Sequence, residues 1–135
     1  MQAVYLFLLA TAIAFNEFIE ARPEPRSVDK LVDDLVRNNN VMVFSKSYCP
    51  FSKRAKKLLT ESYAVEKMEV LELDEQEDMD EIQDYLKSKT GVRTVPQVFM
   101  YGKFVGGAMD LEELDRKGKL EAVLRKTRST NNKRV

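Results

Sequence analysis

Cys49 is the one side chain of this sequence that joins a strong nucleophile to surroundings that favour its reactive form. It is the only cysteine among 135 residues, and the chain contains no histidine. A Cys-His nucleophile pair, a Cys/His zinc site and an internal disulfide are therefore excluded. The next residue, Pro50, suits the first turn of a helix, where its missing N–H is not needed. Cys49 is thus predicted at a helix N-terminus, where unpaired N–H groups and the helix dipole favour an anion.

The residues around Cys49 indicate a reactive thiolate rather than a small buried apolar side chain, which is the commoner role of a lone cysteine. Positions 45–60 hold five cations and no acid. Lys46, the cation closest before the cysteine, is expected to stabilise the anion, whereas most of the others are expected on a solvated helix face. Ser45, Ser47 and Ser52 favour a loop over a core position. Cations and a helix N-terminus both lower the pKa of a thiol, and the thiolate is the attacking species.

Hydrophobic periodicity predicts alternating helices and strands that would position this thiol. The first helix is predicted to begin after Ser27, its N-cap, and to stop at positions 38–40. Short apolar runs predict strands at 41–44 and 65–73, and Tyr101-Gly102 predicts a hairpin between 97–100 and 103–105. Further helices are predicted at 50–60 and 80–89, and in a last helical region that is capped by Asp110 and has a joint at Gly118.

The element order α-β-α-β-α-β-β-α predicts an α/β fold, a mixed four-stranded sheet flanked by helices on both faces. The two early strands are joined through a helix and must run parallel, whereas the late hairpin is antiparallel. Open sheets of this kind bind ligands beyond the carboxyl ends of their strands. Because the Cys49 loop leaves the carboxyl end of the first strand, it lies where a functional site is expected.

Residues 1–21 predict a secretory signal peptide. Positions 3–15 carry no charge, which is short for the roughly 20 apolar residues of a membrane span and suits the apolar region of a signal peptide. An uncleaved membrane anchor is the alternative. Residues 22–26 are typical of a linker, and residues 128–135 of a polar basic tail. We expect the ER or Golgi lumen or secretion, or the cytoplasm if this segment is not a working signal.

Several motifs in the same order resemble the glutaredoxin family. They are Lys46-Ser47-Tyr48-Cys49-Pro50-Phe51-Ser52, Thr94-Val95-Pro96, and Gly106-Gly107 followed by Asp110. The resemblance covers the predicted domain, residues 27–127, and implies a thioredoxin-like fold. It also implies a glutathione-disulfide oxidoreductase, an enzyme that reduces mixed disulfides between proteins and glutathione.

The resemblance gives Cys49 the role of nucleophile. Lys46 and Gln83 would contact the glycine carboxylate of glutathione, although Gln83 taken alone would be an ordinary exposed helix residue. Phe51 would pack on the tripeptide, and Val95 would pair with the glutathione cysteine through its backbone, as an added strand does.

Two further positions follow from the same resemblance. Pro96 resembles the cis proline of the family. Met109 and Asp110 would hold the γ-glutamyl end, with Asp110 meeting its ammonium group. The full glutathione-binding set implied is Lys46, Phe51, Gln83, Thr94, Val95, Pro96, Met109 and Asp110.

Ser52 departs from the dithiol members of the family, which carry a second cysteine there. A hydroxyl cannot resolve a mixed disulfide, so the expected cycle is monothiol, with glutathione as the reducing co-substrate and glutathionylated proteins as partners. Ser52 is instead a candidate donor of a hydrogen bond to the thiolate. We expect a monomer, and the balance of 22 basic and 22 acidic residues gives no sign of a nucleic-acid partner.

Two other functions stay open. In a homodimer, two Cys49 thiolates and two glutathione thiolates would supply the four sulfurs of a [2Fe–2S] cluster. The dedicated cluster carriers of the family read Cys-Gly-Phe-Ser, whereas this chain has Pro50 after its cysteine, and no other metal site is expected. The second alternative is a thioredoxin-like binding module without catalytic activity.

Overall fold

The computed structural model describes residues 26–65 and 67–131. The predicted signal peptide at 1–21 and nearly all of the predicted linker at 22–26 lie outside the described residues and stay predictions. Within the described part of the chain, no helix has the length and apolar character needed to cross a membrane.

Helices and strands alternate along the described chain as the sequence predicts. A π-helical turn at Leu58–Ser62 extends the second helix, and a 3-10 turn at Leu73–Glu75 follows the second strand. The helices are α1 (Val28–Asn38), α2 (Pro50–Lys57), α3 (Met79–Thr90), α4 (Ala108–Arg116) and α5 (Leu120–Asn131). The strands are β1 (Val41–Ser45), β2 (Met68–Glu72), β3 (Gln97–Met100) and β4 (Lys103–Gly106).

The four strands form one mixed sheet in the order β2-β1-β3-β4. β1 pairs parallel with β2 and antiparallel with β3, and β3 pairs antiparallel with β4. Ser45 is the register partner of Glu72, and Phe44 is that of Gln97. The carboxyl ends of β1 and β2 therefore share one edge with the amino end of β3. This edge carries both the Cys49 loop and the loop that ends at Pro96.

Both faces of the sheet are covered, because the buried strand β1 alternates its side chains between two apolar cores. Val41 and Val43 face α2, α4 and α5, whereas Met42 and Phe44 face α1 and α3. The rings of Phe44 and Phe99 meet edge to face, with centroids 5.7 Å apart. All five residues of β1 are buried, as expected of a central strand covered on both faces. The predicted mixed sheet with helices on both faces is confirmed.

Several predicted boundaries differ from the structure. β2 is shorter than the predicted 65–73, because Ala64 and Lys67 have φ values of 45° and 53° and Leu73 already belongs to a 3-10 turn. Ser27 is the N-cap of α1, but its hydroxyl makes no capping bond and donates to the Asp29 carboxylate instead. Gly118 does form a joint, between α4 and α5, with a φ of 66°.

The predicted cap at Asp110 is wrong. α4 begins at Ala108 with Gly107 as its N-cap, so Asp110 lies inside the first turn. The reason is a reversed hydrogen bond: Asp110 Oδ2 accepts from the N–H of Gly107 at 2.8 Å. At the other end of the domain, α5 continues to Asn131, into the segment 128–135 that the sequence assigns to a polar tail.

Candidate active site

Cys49 is the N-cap of α2, and Pro50 is the first residue of that helix. The loop before it closes through a hydrogen bond from the N–H of Cys49 to the carbonyl of Lys46 at 3.0 Å. The carbonyl of Cys49 in turn accepts from the N–H of Lys53 at 3.0 Å, the first bond of the helix. The cysteine is free and partly exposed. The predicted placement of the thiol at a helix N-terminus is therefore confirmed.

Opposing effects act on the Cys49 thiol, and their sum lowers its pKa. Burial on its own raises the pKa, because it disfavours the anion. Hydrogen bonds from the backbone and hydroxyl of Ser52 and from the backbone of Phe51 lower it, as does the positive charge of Lys46. Ser52 and Phe51 belong to the first turn of α2, where the backbone N–H groups have no acceptor within the helix. The direction agrees with the expected thiolate.

Two of the three serines that favoured an exposed loop are fully buried, so that expectation is wrong for them. Ser45 and Ser52 have no exposed surface, whereas Ser47 is exposed. Ser52 lies within the first turn of α2, and its hydroxyl oxygen accepts from the N–H of Lys46 at 3.4 Å. Ser45 ends the central strand β1, and its hydroxyl has no hydrogen-bond partner among the described residues. Ser52 is thus placed to contact both the thiol and the loop before it.

Asp74 anchors the Cys49 loop and was not expected from the sequence. Its carboxylate accepts from the N–H of Ser47 at 2.8 Å and also from the Ser47 hydroxyl. These two hydrogen bonds, from the hydroxyl and then the backbone of Ser47, hold the pKa of Asp74 below its usual value. An acid directly after a predicted strand, at the same sheet edge as the cysteine loop, is the signal that could have identified it.

Of the other cations of α2, Lys53, Arg54 and Lys57 are exposed, as expected of a solvated face, and Lys56 is partly buried. Arg54 Nε lies 2.7 Å from Glu112 Oε1, which ties α2 to α4. The Arg54 guanidinium also lies 5.3 Å from the centroid of the Phe51 ring, a cation–π distance. Lys56 pairs with Glu72 of β2, with both side chains mostly buried.

The loop before Pro96 lies opposite the thiol. The Val95–Pro96 peptide bond is cis, as the resemblance implied. The carbonyl oxygen of Val95 is 3.9 Å from Cys49 Sγ. Among the described residues, none accepts a hydrogen bond from the N–H of Val95. This N–H and the thiol thus lie on facing loops, with Thr94 exposed beside them and Pro96 buried behind.

Gln83 was expected to be exposed if taken alone, but the structure buries it to 5% exposure. Its amide nitrogen is 3.0 Å from the carbonyl oxygen of Arg93. A buried amide needs such a partner, because an unpaired polar group in the interior is costly. The contact that Gln83 makes in this structure is therefore with the loop before Pro96. One N–H of its amide donates to that loop.

Gly106 and Gly107 bring Asp110 close to the same loop. Gly106 has a φ of 140°, and a Cβ at that position would lie 2.4 Å from Asp110 Oδ2. A Cβ at Gly107 would lie 3.4 Å from the carbonyl oxygen of Pro96. Gly106 therefore allows a close approach that a side chain would obstruct, whereas a Cβ at Gly107 would make only an ordinary contact. The start of α4 thus lies beside the loop that carries Pro96.

Three large apolar side chains near these elements are exposed: Tyr48 at 65%, Phe51 at 46% and Met109 at 70%. Tyr48 and Phe51 flank the cysteine in sequence, and Met109 precedes Asp110. Lys46 is partly exposed and makes no ion pair within the described residues. Of the expected glutathione-binding residues, only Gln83 and Pro96 are buried.

Few groups at the site could hold a metal. Within the described residues, no cluster of three or more cysteine, aspartate or glutamate side chains is arranged to bind an ion. The chain would contribute Cys49 alone to an iron–sulfur cluster, so that alternative is left as a prediction.

The fold and site define a thioredoxin-like protein with a thiol at a helix N-terminus facing a cis proline. A family model described as glutaredoxin matches residues 41–105. An uncharacterized monothiol glutaredoxin of Caenorhabditis elegans is 43% identical over 107 residues, covering 79% of this chain and 72% of the relative. Glutaredoxin-C8 of Oryza sativa is 42% identical over 115 residues, 85% of each chain.

A solved structure agrees with these relatives. The buckwheat glutaredoxin–glutathione complex matches with a TM-score of 0.68 and 39% identity, over 74% of this chain and 89% of that one. The chain therefore belongs to the glutaredoxin family, whose members are generally thiol oxidoreductases that use glutathione.

Proposed function

We propose that this protein is a glutathione-dependent oxidoreductase that removes glutathione from protein mixed disulfides by a monothiol cycle. The observation that carries the proposal is the position of Cys49. Its thiol has a lowered pKa and lies 3.9 Å from the Val95 carbonyl, beside a backbone N–H with no acceptor among the described residues. The Cys49 nucleophile therefore lies next to a backbone N–H that is free to bind a peptide. A reaction on the sulfur of a tripeptide such as glutathione requires both groups.

The proposed cycle has two exchange steps. In the first, the Cys49 thiolate attacks the glutathione sulfur of a protein–glutathione disulfide. A bond forms between Cys49 and that sulfur, and the protein thiolate leaves and takes a proton from solvent. In the second, the thiolate of a second glutathione attacks the same sulfur. Oxidised glutathione departs and the Cys49 thiolate returns. The net reaction converts one mixed disulfide and one reduced glutathione into one protein thiol and one oxidised glutathione, so the protein sulfur is reduced and the incoming glutathione sulfur is oxidised.

A lowered thiol pKa supports both steps. In the first step it raises the fraction of Cys49 present as thiolate, the attacking species. In the second step Cys49 is the leaving group, and a thiol of lower pKa leaves faster. Because Ser52 replaces a second cysteine, no intramolecular disulfide competes with the attack of glutathione.

The charges around the groove match those of the tripeptide. Glutathione carries two carboxylates and one ammonium group. In this proposal Lys46 meets the glycine carboxylate, and the exposed Asp110 carboxylate meets the ammonium of the γ-glutamyl end. The N–H of Val95 pairs with the central cysteine of the tripeptide, as in the addition of one strand to another. The exposed ring of Phe51 covers the tripeptide from the helix side.

The comparisons support this proposal without extending to the substrate. The buckwheat relative was solved as a complex with glutathione, and the C. elegans relative is named a monothiol glutaredoxin. The proposed substrate is therefore a chemical class, the mixed disulfide between a protein cysteine and glutathione.

The test is turnover of a glutathionylated peptide with glutathione as reductant, monitored by the release of oxidised glutathione. We expect the wild type to be active and Cys49→Ser to have no activity above the uncatalysed exchange. Ser45→Ala, a buried serine outside the proposed site, serves as the matched control and should retain activity. Equal rates for wild type and Cys49→Ser would favour the binding-module alternative and overturn the proposal.

The cluster alternative is tested on the same preparation. A [2Fe–2S] protein would absorb between about 320 and 450 nm when freshly purified and would dimerise with glutathione present. A colourless monomer with turnover supports the oxidoreductase alone.

The secretory location also stays a proposal. It rests on the uncharged segment at positions 3–15, which lies outside the described residues. N-terminal sequencing of the mature protein tests it, since a cleaved signal would leave a chain that begins near Arg22.

A further inference from the structure

Two buried glutamines bind three successive carbonyl groups of the loop before Pro96. Gln97 is fully buried at the first position of β3. Its Nε2 lies 2.5 Å from the carbonyl oxygen of Val92 and 3.2 Å from that of Thr94. Gln83 Nε2 binds the carbonyl oxygen of Arg93 between them. Carbonyl oxygens only accept hydrogen bonds, so the group facing them must be a donor. The side-chain amides of Gln83 and Gln97 are therefore oriented with their nitrogens toward the loop.

The Thr90 hydroxyl lies beside the oxygen of the Gln97 amide, 3.0 Å from Gln97 Oε1 and 2.9 Å from the carbonyl oxygen of Leu86. These two oxygens share its single O–H as candidate acceptors, and the hydroxyl accepts from the N–H of Val92 at 3.1 Å. Thr90 is the last residue of α3, so the network joins a helix end, a loop and a strand start. The Gln97 amide nitrogen is bound to two loop carbonyls and its oxygen lies within hydrogen-bond distance of the Thr90 hydroxyl, so the side chain cannot turn without breaking the nitrogen contacts.

The network decides which backbone groups of the loop remain available. The carbonyls of Val92, Arg93 and Thr94 are taken by the glutamine amides, and the next carbonyl, that of Val95, lies beside the thiol. The N–H of Val95 is left without an acceptor among the described residues. We infer that Gln97 is a positioning residue that presents the backbone of Val95 to the tripeptide by fixing the carbonyls on either side of Arg93. This inference rests on the proposed function and adds a residue that acts through the loop.

A polar residue at the head of an otherwise apolar strand is the sequence signal for this role. Gln97 precedes Val98, Phe99 and Met100, all buried, and a glutamine enters such a core only with hydrogen-bond partners. Because Gln97 is buried, any substitution will also lower stability, so a loss of activity alone would not separate positioning from folding. The test must therefore separate binding from stability and from thiol reactivity.

Gln97→Met provides that test, since methionine has a similar length and no amide. We expect the KM for the glutathionylated peptide to rise by about tenfold, the factor that corresponds to one lost hydrogen bond, with kcat little changed. A rise in KM at constant kcat is the signature of lost uniform binding. Binding of S-methylglutathione, which cannot react, should weaken by the same factor. The pH profile of Cys49 alkylation should not move, because no hydrogen bond that lowers the thiol pKa comes from Gln97.

Val32→Ala is the matched control. Val32 is fully buried in the core next to α3, and its apolar side chain makes none of the hydrogen bonds of the loop network, so Val32→Ala should lower stability and leave KM unchanged. If Gln97→Met has the KM of the wild type, or if Val32→Ala raises KM as much, the inference is overturned. Should Gln97→Met not fold, Thr90→Val removes one hydroxyl from the network and should raise KM in the same direction, and an unchanged KM there is equally decisive.

The two proposals fail in different ways. A wild type without turnover or S-methylglutathione binding overturns the proposed function and this inference together. A wild type with both, combined with a Gln97→Met variant that matches it, overturns this inference alone.

Discussion

Gly106→Ala tests the turn before α4, in which the Asp110 carboxylate accepts from the N–H of Gly107. Gly106 has a φ of 140°, and a Cβ there would lie 2.4 Å from Asp110 Oδ2 and 2.7 Å from Asp110 Cβ. Backbone strain at such a position costs about 1–3 kcal/mol. Displacing Asp110 from the N–H of Gly107 adds about 0.5–2 kcal/mol, the usual effect of losing a cap at a helix N-terminus. We therefore expect the free energy of unfolding to fall by about 1.5–5 kcal/mol.

The assay is urea denaturation of four proteins that form a double-mutant cycle. Asp110→Gly removes all three atoms that the new methyl group would meet. In that background Gly106→Ala should cost only the backbone strain, about 1–3 kcal/mol. The two substitutions should therefore be coupled by about 1 kcal/mol or more. Costs that add to within about 0.5 kcal/mol would refute the reasoning, because they would mean that the methyl group does not displace Asp110.

The same variants connect this turn to the proposed substrate. If Asp110 holds the ammonium of the γ-glutamyl end, Gly106→Ala and Asp110→Gly should both raise the KM for the glutathionylated peptide. The alkylation rate of Cys49 should be the same in both, since neither residue contributes to its lowered pKa. An unchanged KM in both variants would show that Asp110 does not bind the ammonium group of the γ-glutamyl end.

The remaining predictions concern the Cys49 loop. Ser52→Ala is expected to raise the pKa of the Cys49 thiol and move its alkylation profile to higher pH, whereas Ser45→Ala, which removes a hydroxyl without a partner, should leave the profile in place. Because the folded pKa of Cys49 lies below its ordinary value of 9.0, ionisation adds stability above about pH 9 that is lost as the pH falls through the folded pKa. The difference in unfolding free energy between wild type and Cys49→Ala should shrink over that window, and a constant difference would contradict the lowered pKa. Asp74→Asn should reduce turnover several-fold, because an uncharged amide holds the backbone and hydroxyl of Ser47 less well; an unchanged kcat would contradict its anchoring role.

The fold was predictable because local patterns determine most of its elements. The apolar run that became β1 is buried throughout, and only a central strand covered on both faces tolerates such a run. Tyr101 and Gly102 both have positive φ values, 51° and 83°, as a tight hairpin turn requires. Pro50 marks the start of α2 for an equally local reason. For Gly102 and Pro50 the residue type itself fixes the local backbone, whereas the positive φ of Tyr101 is unusual for its residue type and is set by the turn.

The errors in predicting the site concern polar side chains. Ser52 and Gln83 were placed at the surface by residue type, and the structure buries both. Their partners are the backbone groups of Lys46 and Arg93, six and ten residues away. A polar side chain enters the interior only where such a partner meets it, and periodicity does not contain that information.

Long-range contacts account for the other omissions. Asp74 meets Ser47 across 27 positions of sequence, and Arg54 meets Glu112 across 58. Each contact depends on which strand ends share an edge or which helices share a face. The predicted sheet placed the carboxyl ends of β1 and β2 together, so an acid after β2 could have been proposed as an anchor. The pairing of α2 with α4 had no comparable signal.

The geometry separates the two properties that the proposed reaction needs. Thiol reactivity depends on Ser52, Phe51 and Lys46, all within three residues of Cys49. Tripeptide binding, as proposed, depends mainly on two other loops, which are held by Gln97 and Asp110 through their own hydrogen bonds. The 3.9 Å approach of Cys49 Sγ to the Val95 carbonyl is the contact that joins the two sets. Substitution of Ser52 should therefore change the pKa of Cys49, and substitutions of Gln97 and Asp110 should change KM, whereas Lys46 and Phe51 belong to both sets because they are also proposed to contact the tripeptide. If substitution of Gln97 or Asp110 also shifted the pKa of Cys49, Val95 would have to transmit the effect.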